Sequence, residues 1–284
     1  MIVITGATGQ LGRLVIQALL QKVPAREIVA AVRSPEKAAD LAALGVSVRR
    51  ADYTDPDSLT TAFAGADKLL LISSSEIGDR VPQHRAVIDA ATRAGVSLVA
   101  YTSVLRADTS PLGLAAEHKA TEALLRASGL PFVLLRNGWY TENYTASVPA
   151  ALAHGVVLGS AGQGRIASAA RADYAAAAAA VLTLDGQAGR VYELAGDASY
   201  TLAELAAEIA RQSGKAVEYK DLPEADYKAA LIGLGLPAVI ADLLANSDVG
   251  ASAGGLFDDG RQLSRLIGRP TTPLASSVGV AMQG

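Results

Sequence analysis

The chain has 284 residues, which suffices for one or two domains, and half of its residues are hydrophobic. Cysteine is absent, which excludes disulfides, thiol catalysis and cysteine-ligated metal sites, and three dispersed histidines make a metal site unexpected. The net charge of −3 and the lack of a basic run argue against nucleic acid as a partner. With neither a signal peptide nor an apolar run of about 20 residues, we expect a cytoplasmic protein without a membrane span, whose ligand is a small molecule.

The chain begins with an apolar strand that leads into a glycine-rich turn. Residues 2–4 are typical of a buried strand, and residues 13–21 have helical spacing. Between them stands the run Gly6-Ala7-Thr8-Gly9-Gln10-Leu11-Gly12. Glycine permits a sharp turn, a close approach of the backbone to a pyrophosphate, and close packing of the helix on the sheet. Because the N-terminus of the helix also offers free N–H groups, we predict that residues 6–12 bind a dinucleotide.

Segments typical of strands and helices continue to alternate up to about residue 135. Further strands are predicted at 28–32, 46–49, 68–72, 97–101 and 131–135. Further helices are predicted at 35–44, 56–63, 81–94 and 115–128. This alternation predicts an α/β fold, a doubly wound parallel sheet with helices on both faces. Ligands bind at the carboxyl edge of such sheets.

The end of the second predicted strand indicates which dinucleotide binds. Sites for NAD usually carry an acidic residue about 20 positions after the glycines, whereas here Arg33 stands 21 residues after Gly12. A guanidinium binds a 2′-phosphate through two parallel charge-assisted hydrogen bonds, and a carboxylate would repel it. Arg33 therefore predicts NADPH as the preferred cofactor.

Two other positions at the carboxyl edge are candidates for the same nucleotide. Asp52 follows the third predicted strand, where it either contacts the adenine ring or caps the turn into Asp55, and the sequence favours neither role. Ser73, Ser74 and Ser75 follow the fourth strand. We predict that these small polar residues line the dinucleotide.

The pattern is looser after about residue 140. A helix is predicted at 172–184, a strand at 191–194, and a helix at 201–213 that opens with a capping box of Thr201 and Glu204. Residues 246–259 are rich in Gly, Ser and Asp and predict a loop. We predict a Rossmann domain over 1–135, to which about 155–200 returns, and a smaller α+β substrate-binding lobe built mainly from 136–154 and 200–284.

The catalytic pair of many reductases with this layout is absent. Short-chain dehydrogenases use Tyr-x-x-x-Lys, but no lysine of this chain has a tyrosine four positions earlier. His118 and Glu122, one helical turn apart, either substitute for the pair or form a contact on the helix surface. Reduction of a quinone leaves a hydroquinonate, a far weaker base than the alkoxide left by a ketone. A quinone reductase can therefore rely mainly on positioning the acceptor.

Aromatic and polar residues cluster directly after the sixth predicted strand. The run is Asn137-Gly138-Trp139-Tyr140-Thr141-Glu142-Asn143-Tyr144, in a chain with only 5% aromatic residues. A planar acceptor could stack there near the nicotinamide, or the aromatic side chains could instead close the core between the lobes. We predict residues 137–143 and Arg171 as cofactor-binding, and His118 and Tyr140 as candidate catalytic residues.

Blocks spread over nearly the whole chain resemble the NmrA-like group of atypical short-chain dehydrogenases, and within it the bacterial type 2 NADPH:quinone oxidoreductases. These blocks are 4–12, 71–76, 100–103, 134–140, 194–197, 247–252, 254–259 and 266–272. The resemblance implies an NADPH-bound Rossmann domain, a small C-terminal domain, a quinone pocket in the cleft between them, and neither flavin nor the Tyr-x-x-x-Lys pair. It carries the cofactor positions over to 6–11, Arg33, 73–75 and 138–143.

Two functions of different classes follow from this resemblance. One is flavin-independent transfer of hydride from NADPH to a quinone, giving a hydroquinone. The other is a redox sensor that binds NADP(H) without catalysis, as some NmrA-like proteins do. The C-terminal blocks favour the reductase. Reduction of dyes or other conjugated acceptors is a third possibility that differs only in the substrate.

Overall fold

The computed structural model describes residues 1–283, which form two compact units. The first unit consists of Met1–Ala107, Ala116–Asn137 and Arg171–Tyr192. The second consists of Asp108–Ala115, Gly138–Ala170 and the residues from Glu193 onward. The predicted domain limits differ from these units. Residues 108–115, 155–170 and 193–200 belong to the second unit, and residues 136–137 belong to the first. Over the described range, no helix is both long and apolar enough to cross a membrane.

The strands and helices follow one another in the order expected from the alternating pattern. The strands among residues 1–283 are β1 (Ile2–Thr5), β2 (Ile28–Val32), β3 (Ser47–Arg50), β4 (Lys68–Leu71), β5 (Leu98–Val104), β6 (Phe132–Asn137), β7 (Val156–Gly159), β8 (Val191–Leu194) and β9 (Glu218–Asp221). The helices are α1 (Gln10–Leu20), α2 (Ala39–Ala43), α3 (Pro56–Ala62), α4 (Arg80–Arg93), α5 (Ala115–Ala127), α6 (Thr141–Thr145), α7 (Val148–His154), α8 (Arg171–Thr183), α9 (Leu202–Ser213), α10 (Glu224–Gly233), α11 (Ala238–Ser252), α12 (Gln262–Ile267) and α13 (Leu274–Ala281).

The central sheet has the strand order β3-β2-β1-β4-β5-β6-β8. The pairings of β1 with β2 and β4, of β2 with β3, and of β5 with β4 and β6 are all parallel. The order reverses at β1, since β2 lies on one side of it and β4 on the other. In open parallel sheets, ligands bind at the carboxyl ends of the strands at such a reversal. The predicted doubly wound α/β fold is therefore confirmed.

The core of the first unit lies on both faces of this sheet. Every residue of β1, β2 and β5 is buried, as the continuous apolar runs predict for parallel strands covered by helices. Phe63, Leu69 and Leu134 belong to one buried cluster. Burying each such side chain contributes about 1.5–3 kcal/mol to folding. Alanine-rich α8 packs against α1, where small side chains permit a close approach of the two helices.

The second unit contains the short parallel pair of β7 and β9, together with several helices. Its helix α11 shows that the predicted loop at 246–259 is wrong over 246–252. Small residues suit this helix because its buried face packs closely. A Cβ at Gly250 would lie 2.5 Å from the Leu112 side chain. The capping box at the start of α9 is confirmed, with the Glu204 N–H donating to Thr201 Oγ1 and the Thr201 N–H donating to Glu204.

A buried carboxylate joins three elements of the second unit. Asp248 on α11 is only 2% exposed. Its Oδ1 accepts a 2.9 Å hydrogen bond from Tyr144 Oη, and its Oδ2 accepts one of 2.9 Å from the Ser160 N–H. Gly159 leaves room for this carboxylate, since a Cβ there would lie 2.7 Å from Oδ2. Burial raises the pKa of Asp248 to about 6, and the two hydrogen bonds only partly offset that effect.

The Asp248→Asn variant keeps the size of the side chain and removes its titration. Because the folded-state pKa of Asp248 lies above its ordinary value, the folded protein binds more protons than the unfolded protein between about pH 4 and pH 6. Stability therefore decreases as the pH rises through this window. Unfolding in urea measures the free energy of unfolding of both proteins. We expect the value for the wild type minus that for the variant to fall by about 2 kcal/mol between about pH 4 and pH 6.

The exposed Asp185 supplies the control for this experiment. The Asp185→Asn variant should keep the pH profile of the wild type. If Asp248→Asn also kept that profile, the titration of Asp248 would have no part in the pH dependence of folding.

Candidate nucleotide site

The turn after β1 has a backbone shape that only small residues permit. Gly6 has a φ of +59°, and its carbonyl oxygen accepts a 2.9 Å hydrogen bond from the Gly9 N–H. A Cβ at Gly12 would lie 2.5 Å from that same oxygen and 2.7 Å from the Ala7 Cα. The glycine at position 12 thus lets α1 lie against the turn, rather than against the sheet as the sequence suggested.

Helix α1 begins at Gln10, three residues before its predicted start, with Gly9 as the N-cap. The N–H groups of its first turn have no side-chain cap, so the positive end of the helix dipole is open to an anion. Arg13 is held beside this turn, because its Nε donates to the Thr8 carbonyl and its Nη2 to the Lys37 carbonyl. The run 6–12 therefore has the backbone geometry that a phosphate cradle requires, and its role in binding the cofactor stays a prediction.

Arg33 follows β2 at the carboxyl edge, and its side chain is 69% exposed. Its Nη1 lies 2.7 Å from Glu76 Oε1. Asp52 is close enough that the charge of Arg33 helps to lower the pKa of this carboxyl, although the larger causes are two hydrogen bonds from Thr54. These bonds, from the Thr54 N–H and Oγ1, form a local turn. Asp52 thus caps the turn into Asp55, one of the two roles that the sequence left open, while Asp55 caps α3 by accepting from the Ser58 N–H.

The segment Ser73–Ser75 is held in place through its backbone. The Ser73 N–H donates to Thr102 Oγ1 at 2.9 Å, and the Ser74 N–H donates to His84 Nε2 at 2.9 Å. The Ser74 carbonyl accepts from Arg80 Nε at 2.8 Å. Three partners on β5 and α4 therefore fix the course of this segment at the carboxyl end of β4.

These contacts determine the tautomer of His84. Because Nε2 accepts from the Ser74 N–H, the proton is on Nδ1, which lies 2.9 Å from Thr121 Oγ1. Thr121 in turn donates its own proton to the Glu117 carbonyl. Burial lowers the pKa of His84 to about 3, so the ring is neutral at physiological pH.

His118 and Glu122 are buried, so a His/Glu contact on the helix surface is wrong. His118 Nδ1 lies 2.7 Å from Tyr101 Oη, and burial lowers its pKa well below the ordinary value. Glu122 accepts from Ser103 Oγ at 2.6 Å and from Arg136 Nε at 2.9 Å and Nη2 at 2.6 Å. The two residues thus belong to different networks. His118 shares a hydrogen bond with the neutral side chain of Tyr101, whereas Glu122 forms an ion pair with Arg136 that joins α5 to β6. A catalytic role for His118 stays a prediction.

Asn137 ends β6, and its side chain is buried. Within residues 1–283, its Oδ1 has no hydrogen-bond partner. A buried amide oxygen is costly to leave unsatisfied, so the atom is suited to accept an N–H from a bound molecule. Arg171, predicted as a further cofactor residue, is the first residue of α8 in the same unit.

The rest of the predicted stretch belongs to the second unit. The Gly138 N–H donates to the Leu194 carbonyl, and the Thr141 N–H donates to the Ala169 carbonyl. Trp139 is only 8% exposed, while Tyr140 is half-buried and precedes α6, which contains Glu142 and Asn143. The hydroxyl of Tyr144 is committed to Asp248, which makes this side chain part of the unit's core.

Sequence reasoning missed the residues that hold the serine segment. Arg80, His84, Val87 and Ala91 recur at spacings of three and four on the buried face of α4. The signal in the sequence was the presence of polar residues on an otherwise apolar helical face. Polar residues are usually buried only with hydrogen-bond partners, so their position indicated that they bind a neighbouring segment.

Comparison with known proteins extends these observations over the whole chain. A family model described as NAD(P)H-binding matches residues 6–185. Quinone oxidoreductase 2 of Escherichia coli K12 is 64% identical over 278 residues, which cover 98% of this chain and 97% of that protein. A crystal structure of the NADPH-dependent quinone oxidoreductase from Escherichia coli complexed with NADPH has a TM-score of 0.97 at 63% identity, covering 99% of this chain and all of that one.

Two more distant relatives are named for another activity or family. The triphenylmethane reductase of Citrobacter sp., complexed with NADP(H), has a TM-score of 0.95 at 40% identity and covers 99% of this chain and 100% of that one. An NmrA-like oxidoreductase of Aspergillus flavus is 31% identical over 76% of this chain and 73% of its own length. The chain therefore belongs to the NAD(P)H-binding family, among the relatives of quinone oxidoreductase 2 and the NmrA-like oxidoreductases.

Proposed function

We propose that this protein is an NADPH-dependent quinone oxidoreductase that reduces a quinone to a hydroquinone without a flavin. The observation that carries this conclusion is the 64% identity, over 98% of the chain, with an enzyme named quinone oxidoreductase 2. The phosphate cradle and Arg33 support NADPH as the electron donor. A cytoplasmic location stays a prediction from the sequence.

The residues of the first unit fit this cofactor. Glycines 6, 9 and 12 keep Cβ atoms out of the cradle, and the first turn of α1 presents N–H groups to the pyrophosphate. Arg33 would bind the 2′-phosphate, and Asn137 Oδ1 offers a buried acceptor for an N–H of the cofactor. When bound, NADPH supplies a hydride to the quinone, and one proton from water completes the hydroquinone.

The protein's own contribution is positioning. His84, Thr102 and Arg80 hold the backbone of Ser73–Ser75 in one conformation. A segment fixed in this way limits the orientations of a bound nucleotide. Correct orientation of two reactants can lower a reaction barrier by about 7–11 kcal/mol. A weakly basic hydroquinonate then needs no dedicated acid.

The proposed reaction is tested by mixing purified protein, NADPH and a benzoquinone while following the absorbance of NADPH. We expect loss of NADPH that depends on protein and quinone, with hydroquinone formed in equal amount. Binding of NADPH without such loss would favour the sensor. Parallel reactions with a triphenylmethane dye would measure how far the enzyme accepts other conjugated acceptors.

The Arg33→Glu variant tests the 2′-phosphate assignment. Charge-assisted hydrogen bonds contribute about 1.5–3 kcal/mol, so we expect NADPH affinity to fall by about 10- to 150-fold, with NADH affinity less affected. Calorimetric titration with both nucleotides measures the ratio.

Arg26 provides the control for charge reversal, because it precedes the amino end of β2, whereas Arg33 follows its carboxyl end. Arg26→Glu should leave the ratio of the two affinities unchanged. An unchanged ratio in Arg33→Glu would remove Arg33 from the nucleotide site.

Trp139 and Tyr140 are the proposed stacking faces for the quinone. We expect Tyr140→Ala to lose most quinone turnover while NADPH binding is largely kept. Truncating buried Trp139 to Ala would also cost about 3–5 kcal/mol of stability, so Trp139→Phe separates stacking area from folding.

Steady-state kinetics combined with NADPH titration distinguishes the two effects. Tyr192→Ala, at a partly buried tyrosine that bonds Gln187, is the matched control and should keep its turnover. Wild-type turnover in both Tyr140→Ala and Trp139→Phe would place the quinone elsewhere.

A further inference from the structure

The proposed ligand of the 2′-phosphate already has an anionic partner. Arg33 Nη1 lies 2.7 Å from Glu76 Oε1, and the second carboxylate oxygen of Glu76 accepts from Gln83 Nε2 at 2.5 Å. The Glu76 N–H also donates to Ser74 Oγ at 3.1 Å. Because Gln83 is buried on α4, the Glu76 carboxylate is held at a fixed place rather than moving freely in solvent.

This ion pair lies where the nucleotide is proposed to bind. Arg33 follows β2 and Glu76 follows β4, and these two strands flank β1 in the sheet. The strand between them leads into the glycine turn at Gly6. The pair therefore links the two segments on either side of the phosphate cradle.

The electrostatic balance around Arg33 is acidic. The Arg33 guanidinium faces the Glu76 carboxylate directly, and its charge also acts on Asp52. Arg50 acts on Asp52 as well, but its own ion pair is with Asp55. A 2′-phosphate that approaches Arg33 competes with Glu76 for Nη1 of the guanidinium, and it meets the repulsion of a carboxylate that Gln83 keeps in place. A nucleotide without the 2′-phosphate meets neither obstacle.

We propose that Glu76 is a specificity-determining residue, which competes with the 2′-phosphate for Arg33 and thereby limits the preference for NADPH over NADH. This proposal rests on the assignment of Arg33 to the 2′-phosphate under the proposed function. Replacing Glu76 by an uncharged isostere raises the affinity for 2′-phosphorylated nucleotides and leaves that for others unchanged.

The experiment uses binding of nucleotide fragments and no turnover. Adenosine 2′,5′-bisphosphate and 5′-AMP differ only in the 2′-phosphate, and calorimetry measures both affinities. For Glu76→Gln we expect the bisphosphate to bind about two- to fivefold more tightly and 5′-AMP to bind as in wild type. The gain should shrink at high salt, because the pair is exposed.

Two further variants separate competition from general charge effects. Glu27→Gln removes an exposed carboxylate before the amino end of β2 and should change neither affinity. In an Arg33→Ala background, Glu76→Gln should lose most of its selective effect, because the competition requires the guanidinium.

The outcomes discriminate between the two proposals. An unchanged or weaker affinity of Glu76→Gln for the bisphosphate, with wild-type binding intact, overturns the competition and makes Glu76 a residue that orients Arg33. Equal affinities of the wild-type protein for the bisphosphate and 5′-AMP would instead overturn the assignment of Arg33 itself.

Discussion

The contact between the start of α1 and the turn at Gly6 is the constraint on which the proposed nucleotide site depends. A Cβ at Gly12 would lie 2.5 Å from the Gly6 carbonyl oxygen, so the helix reaches this position only with a glycine there. The positive φ of Gly6 bends the chain out of buried β1, and Gly9 closes the turn with a backbone hydrogen bond. Turn and helix together expose N–H groups at the end of the central strand, where the sheet order reverses.

Beside this turn, buried polar groups fix the backbone of the serine segment. His84 accepts from the Ser74 N–H only as a neutral ring, and burial keeps it neutral by lowering its pKa to about 3. Protonation would place two donors against each other and leave a buried charge beside Arg80. Such a network has one satisfied arrangement, which makes it a rigid support for the serine segment.

The strands that are buried on both faces could be predicted from sequence, because their apolar runs are continuous. β2 has its predicted limits, whereas β5 and β6 extend further, through Ser103 and Arg136. In the sequence, these polar residues indicate the end of a strand. In the folded chain they remain within β5 and β6, because both donate hydrogen bonds to Glu122 on α5. Pairs far apart in sequence have no local signature.

The ion pair of Arg33 and Glu76 spans 43 positions, and the hydrogen bond of Tyr144 to Asp248 spans 104. Sequence patterns therefore identified Arg33 but not the partner that opposes its proposed role. The same limit applies to α11, because the packing of Gly250 on Leu112 becomes visible only after the chain has folded.

The protonation states inside the first unit bear on which acceptors suit the enzyme. An acid that protonates an alkoxide needs a pKa near the working pH and access to the substrate. His118 is buried with a pKa lowered well below its ordinary value, and burial raises the pKa of its partner Tyr101. At neutral pH His118 and Tyr101 are both uncharged. Neither has a pKa near the working pH, so the pair is poorly suited to protonate the alkoxide that a ketone would leave.

Quinones avoid the difficulty, because their reduced form is a weak base that water can protonate. The same reasoning applies to conjugated dyes, and a relative named triphenylmethane reductase has the same fold at 40% identity.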